Sequence, residues 1–343
     1  MSTFYVRNAL RRASNSSCVR HARQLNSITG LAVNLRRSYL YVPSSERMLE
    51  KSLLTTSDMI IYDLEDSISP SPTDKKDARI RLFHFLTSQG TRLPDHRRIA
   101  VRVNDISTPF FHEDINNVIS SGVVSTLVLP KIHSAKDLHY VSFAVSEASK
   151  KTPLKNPLNI VPSIESARAM YNLGEIATWK SDYGTASGGR ITALLFAAED
   201  YCADTSIIRT PSRRELLFTR SQIAIWAKAF GLEAIDMVCV NYKDLDYLRD
   251  ECTDGRQLGF TGKQAIHPTQ VDIIQSTFVP TSRGMSSQIL RAAKILHGMQ
   301  AAHAAAKGAI GLEGEMVDAP MLKQAENTIR IAKAAGLEIP MIS

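Results

Sequence analysis

Short runs rich in β-branched and other apolar residues recur along this chain, each followed by a polar or Pro/Gly-containing turn and then by a longer stretch with helical spacing. Eight such runs stand out: Ser38–Val42, Met59–Tyr62, Ile99–Val103, Thr126–Pro130, Asn159–Ile164, Ala193–Ala198, Ile235–Val240 and Gln264–His267. Strands that alternate with helices form right-handed βαβ units and a parallel sheet, and eight units predict a closed (β/α)8 TIM barrel of the α/β class. An open doubly wound sheet would show the same periodicity.

The helices between the runs carry their own punctuation. Ser212 to Gly231 opens on a Ser cap, has Glu215 in capping-box position, keeps apolar residues at helical spacing and stops at Gly. Ser134 to Asp137 opens another helix in the same way. Past the eighth run, Pro280 to Gly284 reads as a hinge, an Ala-rich helix is expected over 286–307, Gly308 to Gly314 as a flexible connector, and a last helix over 318–336. These elements are surplus to a barrel. The expected organisation is therefore a basic arm over 1–37, a barrel over 38–279 and a helical lid and oligomer contact over 280–343.

Composition changes this picture at one end only. In the 343 residues, 44% hydrophobic and 22% charged content fits a globular protein with a sizeable core. No apolar run reaches the roughly 18 residues that span a bilayer, which predicts no membrane partner. The net charge of +7 looks like a nucleic-acid signal, but Arg7, Arg11, Arg12, Arg20, Arg23, Arg36 and Arg37 all precede the first acid, Glu46. Without them, basic and acidic residues number 34 each, so no nucleic-acid partner is expected. An Arg- and Ser-rich, acid-free start is the pattern of a mitochondrial transit peptide, which predicts the matrix as location; a disordered polyanion-binding arm is the alternative. Cys18 lies in that arm, and Cys202, Cys239 and Cys252 show no paired spacing, as expected of free thiols in a reducing compartment.

Candidate chemistry gathers where the runs end. Tyr41, Asp63, Glu65, Asp66, Arg102, Asn104, Lys131, Glu165, Asp200, Asn241 and His267 lie at or just beyond the carboxyl end of a run, the face on which barrel enzymes build their sites. Glu165 and Asp200 would be neighbours there. Two hard oxygen ligands suit Mg²⁺, which takes a few carboxylates and completes its sphere with water and substrate oxygens. An Arg102 guanidinium there offers a fixed positive fork to a substrate oxygen, or could simply pair with Asp63 or Asp66. Asp318 followed by Ala-Pro reads from the residues alone as a helix N-cap.

Seven segments in order, Leu40-Tyr-Val-Pro43, Tyr62-Asp-Leu-Glu-Asp66, Val101-Arg-Val-Asn104, Leu129-Pro-Lys131, Pro162-Ser-Ile-Glu-Ser166, Phe196-Ala-Ala-Glu-Asp200 and Ala265-Ile-His-Pro268, resemble the landmarks of the citrate lyase β-subunit-like family. That family includes malyl-CoA, β-methylmalyl-CoA and citramalyl-CoA lyases, and Met316-Val-Asp-Ala-Pro320 is similar to the lid motif of the citramalyl-CoA lyases. The resemblance implies a homotrimeric barrel that binds Mg²⁺ and an acyl-CoA thioester and breaks a carbon–carbon bond. It makes Glu165 and Asp200 metal ligands, Arg102 and Asp318 catalytic, and Tyr41, Arg47, Lys51, Lys75, Arg79, Arg102, Ile266 and His267 neighbours of the CoA substrate. In it, Asp318 exchanges a proton with the acetyl-CoA methyl group, in the same subunit or a neighbouring one. The expected reaction is cleavage of citramalyl-CoA to acetyl-CoA and pyruvate, with malate- or citramalate-synthase side activity. The alternatives are a malyl-CoA or β-methylmalyl-CoA lyase or thioesterase, or a non-catalytic CoA-binding subunit. Ser44 and Ala197 stand where relatives often carry Gly, and the 185–189 stretch looks like loop elaboration.

Overall fold

The computed structural model describes residues 35–282 and 287–342, so residues 1–34 of the expected transit peptide, Cys18 among them, and the last two residues of the expected hinge lie outside the described residues. The described chain divides into two compact units, one spanning Arg36–Val279 and one beginning at Pro280.

The first unit is a barrel. Its main strands are Ser38–Pro43 (β1), Met59–Asp63 (β2), Ile99–Arg102 (β3), Thr126–Leu129 (β4), Asn159–Ile164 (β5), Ala193–Phe196 (β6), Glu233–Asp236 (β7) and Gly262–Ala265 (β8), and a two-residue strand, Arg190–Ile191, also pairs with β5. Each main strand pairs in parallel with the next, and β1 pairs with β8, so the sheet closes as eight strand–helix units require. Side chains alternate across each strand. One set, including Tyr39, Met59, Ile61, Ala100, Val128, Val161, Leu195 and Ile235, plugs the barrel interior. The other, including Leu40, Ile60, Tyr62, Val101, Leu127, Ile160, Leu194 and Phe196, packs in the larger core that extends under the helices.

Two strands start earlier than their apolar runs predict. β7 begins at Glu233, whose carboxylate accepts a hydrogen bond of 2.9 Å from the buried Tyr39 hydroxyl. β8 is Gly-Lys-Gln-Ala, and its Lys263 is fully buried with its ammonium 3.0 Å from the equally buried Glu251 of helix Leu245–Leu258. A charge can sit inside a strand when a partner neutralises it, and hydrophobic patterning passes over such strands. The Ser212 cap is also corrected. Arg213 takes a left-handed turn, Glu215 accepts from the Thr210 amide and hydroxyl, and the α-helix runs Leu217–Ala229 after a short 3-10 turn. The 185–189 stretch is a single helical turn. Cys202, Cys239 and Cys252 are buried free thiols.

In the second unit, helices Gln288–Ala304 and Ala319–Ala334 bury Ile289, Ala292, Met299, Ala325 and Ile329 in a core of their own. The connector expected to be flexible is largely a hairpin, Ile310–Leu312 (β9) against Glu315–Val317 (β10). Glu313 and Gly314 turn it with left-handed backbones, the arrangement that matches strand twist in two-residue hairpins.

Candidate active site

Period-two alternation builds the site directly on the barrel's apolar plug. Tyr41, Asp63, Arg102, Ser163, Glu165, Ala197, Gln264 and Ile266 have the same parity as the inward residues Tyr39, Ile61, Ala100, Val161 and Ala193, carried to the carboxyl ends of their strands. All of them except Glu165 line a cavity of about 390 Å³, together with Asp66, Glu199, Asp200 and Val238.

Arg102 is its electrostatic centre. The guanidinium makes two 2.7 Å hydrogen bonds to the Asp63 carboxylate and reaches Glu65 at 3.0 Å and Asp66 at 3.1 Å. Asp63 in turn accepts from the Glu65 and Ser67 amides. Burial would push the Asp63 pKa up, but the Arg102 bonds outweigh it and hold the carboxyl below its usual range. The Tyr41 ring lies 4.8 Å under the Arg102 cation, and its hydroxyl donates to Gln264 at 3.1 Å; burial pushes that phenol upward, so it stays protonated. Gln264 completes the frame by donating to the Phe196 and Asp236 carbonyls at 2.8 and 3.0 Å, which ties β8 to β6 and β7.

Two further acids belong to this end of the barrel, Asp200 in the cavity lining and Glu165 within reach of its charge. Glu165 is 7% exposed at the end of β5, and its carboxylate accepts a hydrogen bond from the Lys131 amide. Lys131 has φ of 51°, a left-handed conformation unusual for a side chain of this size, and its ammonium is 3.3 Å from Glu65. Burial, then the like charge of Asp200, pushes Glu165 up to about 8. Asp200, in the first turn of helix Ala198–Thr205, is also raised by burial and by Asp66, against the pull of Arg102 and Lys131. Two carboxylates driven toward the neutral form beside a cavity are short of positive charge, which a divalent cation would supply. No group of three or more His, Cys, Asp or Glu able to hold a metal occurs among the described residues. That donor set fits Mg²⁺, content with two carboxylates plus water and substrate oxygens, and not a structural zinc site, which needs four protein ligands.

The remaining candidates divide. Arg47 and Lys51 stand exposed on helix Glu46–Ser52, directly after β1. Lys75 and Arg79, expected beside the CoA substrate, are buried on partners within the protein. The Lys75 ammonium is buried against the Leu64 and Glu65 carbonyls at 2.9 and 2.7 Å, and the Arg79 guanidinium is buried against Asp114 at 2.7 Å with Glu113 beside it. Ile266 lines the cavity and is 41% exposed. His267 caps the turn Pro268–Gln270, bonds Thr269 at 2.8 Å and stacks on Tyr242, so its ring is engaged in local structure. Asp318 heads helix Ala319–Ala334 in the second unit, where its carboxylate makes no capping hydrogen bond. Ser44, in a position expected to affect backbone approach, donates to the Asp63 carbonyl at 2.8 Å. Sequence reasoning gave no site role to Ser163 or Gln264; the available signal was a polar residue at an inward position of a strand.

Residues 37–268 match the family described as HpcH/HpaI aldolase/citrate lyase. The mitochondrial citramalyl-CoA lyase of Homo sapiens is 31% identical over 299 residues, covering 87% of this chain and 85% of that protein. The citrate lyase subunit beta of Leuconostoc mesenteroides subsp. cremoris is 29% identical, covering 88% of this chain and 95% of its own. Among solved structures, the CitE protein of Mycobacterium tuberculosis in complex with magnesium, acetoacetate and coenzyme A superimposes with a TM-score of 0.65 at 25% identity, covering 89% of this chain and all of that one. A citrate lyase from Burkholderia xenovorans LB400 shares the fold with a TM-score of 0.76 at 19% identity over 91% of this chain and 96% of its own.

Proposed function

Since this chain belongs to the HpcH/HpaI aldolase/citrate lyase family and is a carbon–carbon lyase, we propose that it cleaves citramalyl-CoA to acetyl-CoA and pyruvate with Mg²⁺ as cofactor. The observation that carries the reading is the juxtaposition in one barrel mouth of an anchored guanidinium and two charge-deficient carboxylates. The substrate assignment is supported by the human, rat and mouse citramalyl-CoA lyases, 30–31% identical over 87% of this chain. Those proteins are mitochondrial, which supports a matrix location and the presequence reading of the basic arm. A trimer remains part of the proposal on the family resemblance.

Glu165 and Asp200 would hold the Mg²⁺, which when bound supplies positive charge and a template for the carboxylate and hydroxyl oxygens of the substrate. Arg102 is kept rigid by Asp63 and stacked on Tyr41, and its Nη1 group would turn from Glu65 and Asp66 to take the thioester oxygen. Carbon–carbon cleavage begins with loss of the substrate hydroxyl proton to a base in the acidic cluster. The bond's electron pair then passes to the acetyl-CoA fragment as an enolate, whose oxygen Arg102 stabilises. Asp318 gives that enolate carbon its proton and completes acetyl-CoA. Arg47 and Lys51 suit the CoA phosphates.

The test is a substrate panel. The protein, incubated with Mg²⁺ and either citramalyl-CoA or malyl-CoA, is followed for pyruvate, glyoxylate, acetyl-CoA and free CoA. Faster release of pyruvate with acetyl-CoA supports the proposal. Preference for malyl-CoA would reassign the substrate, free CoA without acetyl-CoA would indicate a thioesterase, and inertness toward both would indicate a binding subunit.

A further inference from the structure

Behind the cavity wall runs a chain of alternating charges that the mechanism does not use. The Arg209 guanidinium, 12% exposed, pairs with the Glu199 carboxylate, donates to the Val238 carbonyl at 3.0 Å and meets Glu251 at 2.7 Å. Glu251 is fully buried and meets Lys263 of β8 at 3.0 Å. Both Glu199 and Val238 line the cavity, and Glu199 immediately precedes Asp200 in the first turn of the same helix.

Successive residues on a helix point about 100° apart, which turns Glu199 away from Asp200, yet Glu199 also lines the cavity with a half-exposed side chain that can swing inward unless something retains it. Here the something is a cation whose own position is fixed by a buried partner. We propose that Arg209 is a positioning residue: it retains the Glu199 carboxylate outside the cation site and joins the turn bearing Asp200 to the segment after β7. The inference rests on the reading of Glu165 and Asp200 as the metal-binding pair. It assigns Arg209 a role in metal selectivity, because a third carboxylate favours Ca²⁺, which takes six to eight oxygens, over Mg²⁺, which keeps its waters.

The test is calorimetric titration of Mg²⁺ and of Ca²⁺ into the wild-type protein, Arg209→Gln, Arg209→Lys and the double variant Arg209→Gln/Glu199→Gln, all without substrate. Releasing Glu199 should shift the Ca²⁺-to-Mg²⁺ affinity ratio toward Ca²⁺ on the order of tenfold in Arg209→Gln. Arg209→Lys should shift it the same way: its single ammonium stays on buried Glu251 and lets Glu199 go, so this variant carries the test if the glutamine variant fails to fold. The double variant, with no carboxylate to release, should return to the wild-type ratio. An unchanged ratio in the foldable single variants, or equal weakening of both metals that the second substitution does not reverse, overturns the role of Arg209. Absence of Mg²⁺ binding by the wild-type protein would instead overturn the metal reading on which it rests.

Discussion

The Arg102 guanidinium meets three acids and an aromatic ring within one strand turn of the barrel plug, so its charge is both neutralised and immobilised. Lysine cannot reproduce the fork. Arg102→Lys is expected to lower kcat on citramalyl-CoA by on the order of 10²–10³-fold, read by steady-state assay alongside an unchanged circular dichroism spectrum. Asp63 gives a pH test. Its pKa is lowered from 3.8 in the folded state, so its ionised form contributes stability above that value, and the contribution is lost as pH falls through the folded pKa below it. In Asp63→Asn the urea midpoint should therefore be lower at pH 7 and should fall less steeply than wild type as pH drops below about 4. Asp318 occupies the N-cap position of its helix, as its sequence context predicts, but its carboxylate makes no capping hydrogen bond. Asp318→Ala should lower cleavage by about 10²–10⁴-fold while thermal stability and CoA binding hold, the loss expected for a proton donor. A fall in stability with intact turnover would return it to a structural role.

Element by element, the legibility of the chain follows the chemistry that sets each strand. β1 to β6 are mainly apolar, with polar residues toward their ends, and their runs coincide closely with the strands. β7 starts with Glu233 and β8 carries Lys263 inside it, and their partners Tyr39 and Glu251, distant in sequence, are what make those residues acceptable in a strand. The same long-range pairing hid the true situation of Lys75 and Arg79, which from the local pattern look like a solvated helix face. At the site, acids and Arg102 were legible as polar residues ending strands, whereas Gln264 opens its apolar run and shows as a site residue only once strand alternation is followed inward. The helix Leu245–Leu258 can approach β7 only because Gly255 has no Cβ; one added there would lie 2.4 Å from an Asp236 carboxylate oxygen, which is engaged by Arg220. Gly255→Ala should cost about 1–3 kcal/mol in urea denaturation. A neutral result would mean that the Arg220–Asp236 pair can shift aside.

For the whole molecule, the parallel pairing of consecutive strands β5 and β6 sets the two acids that follow them, 35 positions apart in sequence, on neighbouring strands. Closure of the sheet brings Arg102, three strands earlier, to the cavity that Asp200 lines. The account rests on that convergence having been built around a divalent cation and a hydroxyacyl-CoA. Its most direct test is the metal dependence of product formation: citramalyl-CoA is supplied to the protein freed of metal with EDTA, then to the same sample after Mg²⁺ is restored, and pyruvate and acetyl-CoA are counted together. The account predicts negligible turnover without metal and equal amounts of the two products once Mg²⁺ returns, with Glu165→Gln silent in both conditions. Undiminished cleavage in EDTA, or full Mg²⁺-dependent cleavage by Glu165→Gln, would contradict it.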